Sequence, residues 1–304
     1  MTERLRVGFI GLGYMGHGMA RSILARGFPL TVMAHRKREA LDDLVRRGAR
    51  EAATPAEVAR DSDVVVLCVP GAAEVDTLLR GGNGIAAGAK PELIVIDCTT
   101  SEPSTLICLA SDFPGVAFVD APLGRSPREA WEGKLSVMVG ADPPTLDRIR
   151  PVLDAFADLI QHVGAPGSGH RLKLVNNLIS LGYAALYSEA WVLARKSGIS
   201  TEAFDQLVRS SRMHCPFYET FMGWARDGDS SSHRFSLATA FRTIADVKSL
   251  GATLGLVGKV TAAVHDTYAD AIAAGLGNAT LPELPRSVAG ASATHLAPVQ
   301  LRSL

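Results

Sequence analysis

Residues 7–16 read Val-Gly-Phe-Ile-Gly-Leu-Gly-Tyr-Met-Gly, a short apolar run broken by three glycines spaced G-x-G-x-x-G. From Met15 to Arg26 the apolar residues recur at helical intervals and stop at Gly27, a residue suited to a helix C-terminus. Few local patterns restrict a fold so strongly. A strand that turns into a helix over glycines at these intervals starts a dinucleotide-binding βαβ unit. Gly11 permits the tight turn, Gly13 leaves the backbone bare where a pyrophosphate approaches, and Gly16 lets helix and strand pack closely. Leu12, Tyr14 and Met15 complete the turn and are assigned to the cofactor with it.

The rest of the first half repeats the theme. Short β-branched runs at 30–34, 64–69, 93–97 and 117–120 alternate with helical patterns, which predicts an α/β fold built on a doubly wound parallel Rossmann sheet. A hairpin-like stretch at 135–140 precedes Asp142-Pro143-Pro144, a helix start with its prolines in the first turn. After the segment 164–169, Gly-Ala-Pro-Gly-Ser-Gly, β-branched runs give way to Leu- and Ala-rich ones. The expected domains are therefore a dinucleotide-binding Rossmann domain over 1–165 and an all-α substrate and dimerisation domain over 166–304. Residues 170–197 contain no proline and one internal glycine, Gly182, and predict a single helix of about 40 Å that joins the two. Further helices are expected at 201–211, 237–254 and 261–274, with a weakly structured tail at 291–304. Residues 213–218 read as a packed loop between helices rather than as a cleft lining.

Composition narrows the function classes. Among 304 residues, 31 Lys and Arg balance 31 Asp and Glu, so no global field draws nucleic acid or an acidic membrane surface. No apolar run approaches the roughly 20 residues that cross a bilayer, and the N-terminal stretch resembles neither a signal peptide nor an anchor; a cytoplasmic location is expected. The four cysteines form no C-x-x-C pair and are read as buried thiols. The eight histidines include no H-x-H or H-x-x-x-H pair, so no metal site is expected. Gly167-Ser168-Gly169 does not match a nucleophile elbow.

Two places carry chemistry. Where a dinucleotide enzyme selective for NAD ends its second strand on Asp or Glu, this chain reads Ala34-His35-Arg36-Lys37-Arg38. A guanidinium there holds a 2′-phosphate, so His35, Arg36 and Lys37 favour NADP, with NAD the lesser option; the alternative is a solvated basic helix start. Downstream, Lys173 and Asn177 lie four apart on one helical face behind a Gly-x-Gly entry. A lysine desolvated in a cleft exchanges a proton with a hydroxyl under oxidation, and Asn177 orients the substrate or the amine. A lysine on a helix taken alone is more often a solvated face.

Gly8-Phe9-Ile10-Gly11-Leu12-Gly13-Tyr14-Met15-Gly16, with Met19-Ala20 behind it, resembles the opening of the β-hydroxyacid dehydrogenase family. Asp97-Cys98-Thr99-Thr100-Ser101-Glu102-Pro103 resembles that family's D-x-S-T-x-x-P segment. Asp120-Ala121-Pro122, with Gly133-Lys134-Leu135 and Met138-Val139-Gly140, resembles its substrate-binding segment. Gly167-x-Gly169-x-x-x-Lys173-x-x-Asn176-Asn177 resembles its catalytic helix. The resemblance implies that Val69, Pro70 and Thr100 lie near the cofactor and that Asn176 and Ser180 help bind substrate. It also implies a homodimer or homotetramer, and a small β-hydroxyacid interconverted with its aldehyde.

Two departures qualify it. Gly124-Arg125-Ser126 stands where most of the family has Ser-Gly-Gly, and is similar to members that reduce sulfolactaldehyde. This points to a strongly anionic headgroup, carboxylate or sulfonate, held by Arg125 and Ser126; the alternative is a surface arginine in a loop. Seven residues after Phe235, where the family has Lys-Asp, the chain has Arg242-Thr243. Arg242 is taken as the cofactor-facing cation, with Asp246 and Lys248 as the other register. The reading is thus an NADP-dependent oxidoreductase. A catalytically silent NADP sensor has no need of Lys173 and Asn177, and an imine reductase normally discards the lysine.

Overall fold

The structure is a computed structural model that describes residues 4–33, 37–230, 233 and 235–292. Its first block runs β1 (Val7–Ile10), α1 (Tyr14–Ala25), β2 (Leu30–Met33), α2 (Glu39–Arg46), β3 (Arg50–Glu51), α3 (Pro55–Arg60), β4 (Val64–Leu67), α4 (Ala72–Arg80), α5 (Ile85–Gly88), β5 (Leu93–Asp97), α6 (Pro103–Asp112), β6 (Val116–Asp120), β7 (Leu123–Gly124), α7 (Pro127–Glu132), β8 (Leu135–Gly140), α8 (Pro143–Leu153) and β9 (Ala157–Gly164). The second is helical: α9 (Ser168–Lys196), α10 (Thr201–Ser210), α11 (Pro216–Phe221), α12 (Gly223–Asp227), α13 (Leu237–Thr253), α14 (Lys259–Ala273) and α15 (Leu284–Ala291).

The strands form one sheet in the order β3-β2-β1-β4-β5-β6-β8-β7, with β9 beside β8. It is parallel from β3 to β6. Strand β8 is antiparallel to β6 and β7 and parallel to β9. Both faces are buried, which is why the strands read as continuous apolar runs. Val64, Val66, Ile94 and Ile96 enter one core with Phe9 and Met19, while Val65, Leu67 and Val95 enter the other with Ile10. Ile10 pairs with Leu67, Leu67 with Asp97 and Asp97 with Asp120, so the parallel strands end level. The loops that hold the candidate residues Gly11, Val69 and Thr100 leave from that common edge. The order reverses at β1, between β2 and β4, where ligands of such sheets bind.

Contacts divide the chain into two compact units, Met1–Lys173 and Leu174–Leu304, a division that falls inside α9. The second unit has its own core around Trp191, Tyr218, Phe221, Ile244, Tyr268 and Leu284. Two of its buried rings have polar partners within it: Tyr268 donates to the Leu181 carbonyl at 3.1 Å and Trp191 to the Thr201 hydroxyl at 3.2 Å. Among the described residues no helix is long and apolar enough to cross a membrane.

Several expectations need correction. The stretch at 135–140 is a strand, β8, but α7 intervenes before it, so no tight turn makes it half of a hairpin. Strand β9 was not anticipated, because Asp158, Gln161 and His162 interrupt its apolar residues. Residues 213–218 are not all loop, since Pro216 starts α11. Only Cys98 of the four thiols is fully buried; Cys68 and Cys215 are partly covered, and Cys108 is exposed. Cys108 is exposed because of its place on α6, whose buried side chains are Pro103, Leu106 and Leu109 and not the two positions between the leucines. The expected tail lies outside the described residues beyond Ser292.

Candidate active site

The glycine turn joins β1 to α1, and its three glycines have three different causes. Gly11 has φ +107°, and a side chain there would overlap the Cys68 carbonyl at the end of β4. A methyl on Gly16 would overlap the Gly11 carbonyl. At Gly13, by contrast, nothing of the protein lies within 4 Å of where a Cβ would be. Gly13 is the N-cap of α1, no side chain caps it, and no acidic residue occupies the first turn. The uncapped amides at the positive end of the helix dipole, with clear space beside Gly13, fit a pyrophosphate. Leu12 and Met15 pack against the sheet core, and Tyr14 is exposed.

Around this turn, the Val69 amide donates to the Thr99 hydroxyl at 3.3 Å, tying the loop after β4 to the loop after β5. Thr100 is half-buried and Pro70 exposed. His35 and Arg36 lie outside the described residues. Lys37 is exposed, whereas the Arg38 guanidinium is held by Glu51 at 2.9 and 3.0 Å and by Asp42 at 3.3 Å.

Lys173 sits in the second turn of α9 as the last residue of the first unit. Its ammonium donates to the Leu123 carbonyl at 2.7 Å, and burial pushes its pKa down to about 8. A neutral carbonyl partner leaves the charge uncompensated, so desolvation dominates. Asn177 is buried one turn on, and Asn176 is exposed. The Ser180 hydroxyl turns back to the Asn177 carbonyl at 3.3 Å. The three share the face of α9 that carries Lys173 but belong to the second unit, as does Arg242. Arg242 is exposed on α13; Asp246 lies one turn beyond it, and Lys248 on a different flank of that helix.

The turn at Gly124-Arg125-Ser126 has internal partners. Gly124 lies in β7, where a side chain would overlap the Ser136 hydroxyl. Arg125 adopts φ +74° and pairs with Asp158 at 2.7 Å and with the Lys134 carbonyl. Ser126 is the N-cap of α7, in a capping box with Glu129.

The sequence gives no role to a buried pair that joins β5 to the first turn of α9. Asp97, at the end of β5, accepts from the Thr99 amide at 2.9 Å and faces His170 Nε2 at 3.7 Å. Burial raises the Asp97 pKa, and neither ring nitrogen of the fully buried His170 has a hydrogen-bond partner. The available signal was a carboxylate closing an apolar strand.

Comparison with known proteins gives residues 6–164 as the NAD binding domain of 6-phosphogluconate dehydrogenase and residues 167–286 as the NAD-binding domain of NADP-dependent 3-hydroxyisobutyrate dehydrogenase. The chain belongs to the β-hydroxyacid dehydrogenase family. As a member it is an NAD(P)-dependent oxidoreductase. It is 31% identical over 279 residues to 3-sulfolactaldehyde reductase of Escherichia coli, covering 89% of this chain and 91% of that one. It is 34% identical over 214 residues to 2-(hydroxymethyl)glutarate dehydrogenase of Eubacterium barkeri, covering 69% and 70%. The fold matches Mycobacterium tuberculosis 3-hydroxyisobutyrate dehydrogenase, solved with L-serine, at a TM-score of 0.81 and 24% identity over 94% of this chain and 99% of that one.

Proposed function

We propose that this β-hydroxyacid dehydrogenase interconverts a small anionic β-hydroxyacid or hydroxysulfonate and its semialdehyde, with NADP(H) as the preferred cofactor. The Lys173 amine carries the reading. Its pKa of about 8 lets it hold or release a proton near neutral pH, as an acid for reduction or a base for oxidation. Asn177 orients the reacting oxygen, with Asn176 and Ser180 beside it on the helix. When bound, the nicotinamide supplies or accepts the hydride.

The turn Gly124-Arg125-Ser126 serves the substrate's acid group. Ser126, as helix cap, holds the turn that presents Arg125, and the guanidinium trades Asp158 for the substrate anion. That pair is 37% and 47% exposed, so the exchange costs little, about 1 kcal/mol or less. NADP is favoured because the basic run 34–38 holds no carboxylate and its Arg38 is committed to Glu51, which leaves His35, Arg36 and Lys37 for a 2′-phosphate. Arg242 is the assigned cofactor cation of α13. The supporting relative is the sulfolactaldehyde reductase, whose named substrate bears a sulfonate.

The test is an initial-rate panel of small aldehydes bearing a carboxylate, a sulfonate or no charge, each with NADPH and NADH. Turnover should be best with an anionic aldehyde and NADPH. Lys173→Ala should lower kcat roughly 100- to 10,000-fold while leaving NADPH binding intact. Equal use of charged and uncharged aldehydes, or a variant keeping more than about a tenth of wild-type turnover, would sink the reading.

A further inference from the structure

Asp120 closes β6 and is fully buried, a place where a carboxylate is costly unless its oxygens are satisfied. Both are. Oδ1 accepts from the Gly167 amide at 2.7 Å and Oδ2 from the His170 amide at 2.6 Å. These donors flank Ser168, the first residue of α9, where a helix has amides it cannot satisfy itself and where its dipole favours negative charge. Glycines make the approach possible. A side chain at Gly140 would overlap Asp120 Oδ1, and one at Gly169 would overlap the Met138 carbonyl and lie 2.9 Å from Asp120 Oδ2. Three residues beyond Asp120, the Leu123 carbonyl takes the Lys173 ammonium. The short segment from Asp120 to Leu123 thus holds both the start of α9 and the amine one turn along it.

We propose that Asp120 is a positioning residue for the reaction: its carboxylate clamps the N-terminus of α9 to the end of β6 and so fixes the Lys173 amine against the Leu123 carbonyl. The inference rests on Lys173 as the proton carrier. The other titratable groups at the clamp include Asp97 and His170, the latter packed at 3.7 Å from Asp97 Oδ2, and Arg171, whose Nη2 would lie 3.8 Å from a side chain on Gly167. Asp97 completes the seat of α9 without bonding to its amides. In Asp120→Asn, one oxygen acceptor becomes an NH₂ group pointed at a backbone N–H, so one of the two clamp bonds is lost while volume is kept.

The experiment compares wild type, Asp120→Asn and Lys173→Ala for kcat, KM, NADPH binding by fluorescence, and the pH profile of kcat/KM for aldehyde reduction. Reduction needs the protonated amine, so the wild-type profile falls as pH rises through about 8. In Asp120→Asn the loosened helix admits water to the ammonium, and the inflection should move upward. At the same time kcat should fall roughly 10- to 100-fold, the usual cost of a misplaced acid, with NADPH affinity unchanged because the glycine turn is on β1. An Asp120→Asn enzyme that is less heat-stable yet keeps kcat and the wild-type inflection overturns the proposal. If Asp120→Asn does not fold, Gly169→Ala keeps the carboxylate but pushes α9 off the Met138 carbonyl, and the same two readouts apply with the same overturning result. Should Lys173→Ala retain its activity, the proton-carrier reading fails on its own, whatever Asp120→Asn does.

Discussion

At the scale of single residues, the anion-binding role proposed for Arg125 has to compete with a partner the side chain already has, Asp158. The arginine's φ of +74° is unusual for a residue with a side chain, and backbone strain of this kind gathers at functional turns. An exposed pair such as Arg125–Asp158 is worth about 0–1 kcal/mol, whereas a desolvated charge-assisted hydrogen bond is worth about 1.5–3 kcal/mol, so on the proposed reading a substrate anion would displace the carboxylate. Arg125→Ala should therefore lower kcat/KM roughly 10- to 150-fold for an anionic aldehyde and far less for an uncharged one of similar size. Asp158→Asn removes the competitor and should lower KM for the anion by up to about fivefold. Proportional losses on both aldehydes in Arg125→Ala would mean that the arginine only supports the loop. A raised KM in Asp158→Asn would mean that the carboxylate aims the guanidinium rather than competing for it. The arginine was legible in the sequence as a departure from a motif; its partner, 33 residues away, was not.

At the scale of elements, the turn from β1 into α1 separates glycines that the fold needs, Gly11 and Gly16, from Gly13, whose proposed reason is the cofactor. Gly16 touches the Gly11 carbonyl, so Gly16→Ala should lower Tm by displacing α1 from the sheet. Gly13 has an ordinary φ of −81° and clear space beside it, so Gly13→Ala should cost about 1 kcal/mol or less as a poorer cap. Its effect should fall on the cofactor, with NADPH binding weakened tenfold or more as an order-of-magnitude expectation for a group wedged against a pyrophosphate. Calorimetry and NADPH titration of both variants decide it: a Gly13→Ala protein that binds NADPH normally would show that the clear space does not receive the phosphates. Elements with one strong local cause were the ones legible in the sequence. The apolar runs of β1, β4 and β5 and the Asp142 cap of α8, which accepts from the Thr145 amide at 3.0 Å, needed no tertiary information. Strand β9 was illegible because its identity comes from pairing with β8, and α11 because a proline start and six residues leave little periodicity. The clamp at Asp120 was hidden for a related reason: Asp120 and Gly167 are 47 residues apart and meet only in the folded sheet.

At the scale of the whole molecule, the long helix was legible from its uninterrupted composition, but its surface was not, because a Leu or Ile in a helix says nothing of which neighbour covers it. Within the chain several go uncovered. Val175, Ile179, Tyr183, Leu186 and Leu193 are 51%, 53%, 44%, 64% and 65% exposed. At 3.6 residues per turn they fall within an arc of about 80°, a continuous apolar stripe along α9. Scattered exposed apolar side chains are ordinary, but an aligned row of five is the pattern expected of an interaction surface. A second copy of this chain is the simplest occupant, because a stripe of uniform character is complementary to itself about a two-fold axis. Wild type should therefore sediment as a dimer or larger assembly, and Ile179→Glu with Leu186→Glu should sediment as a monomer, since two charges would have to be buried in the apolar contact. The substitutions lie on the exposed stripe rather than in the core of the second unit, so helical content should remain unchanged by circular dichroism. A monomeric wild type, or a variant that sediments as wild type does, would mean that no second copy covers the stripe.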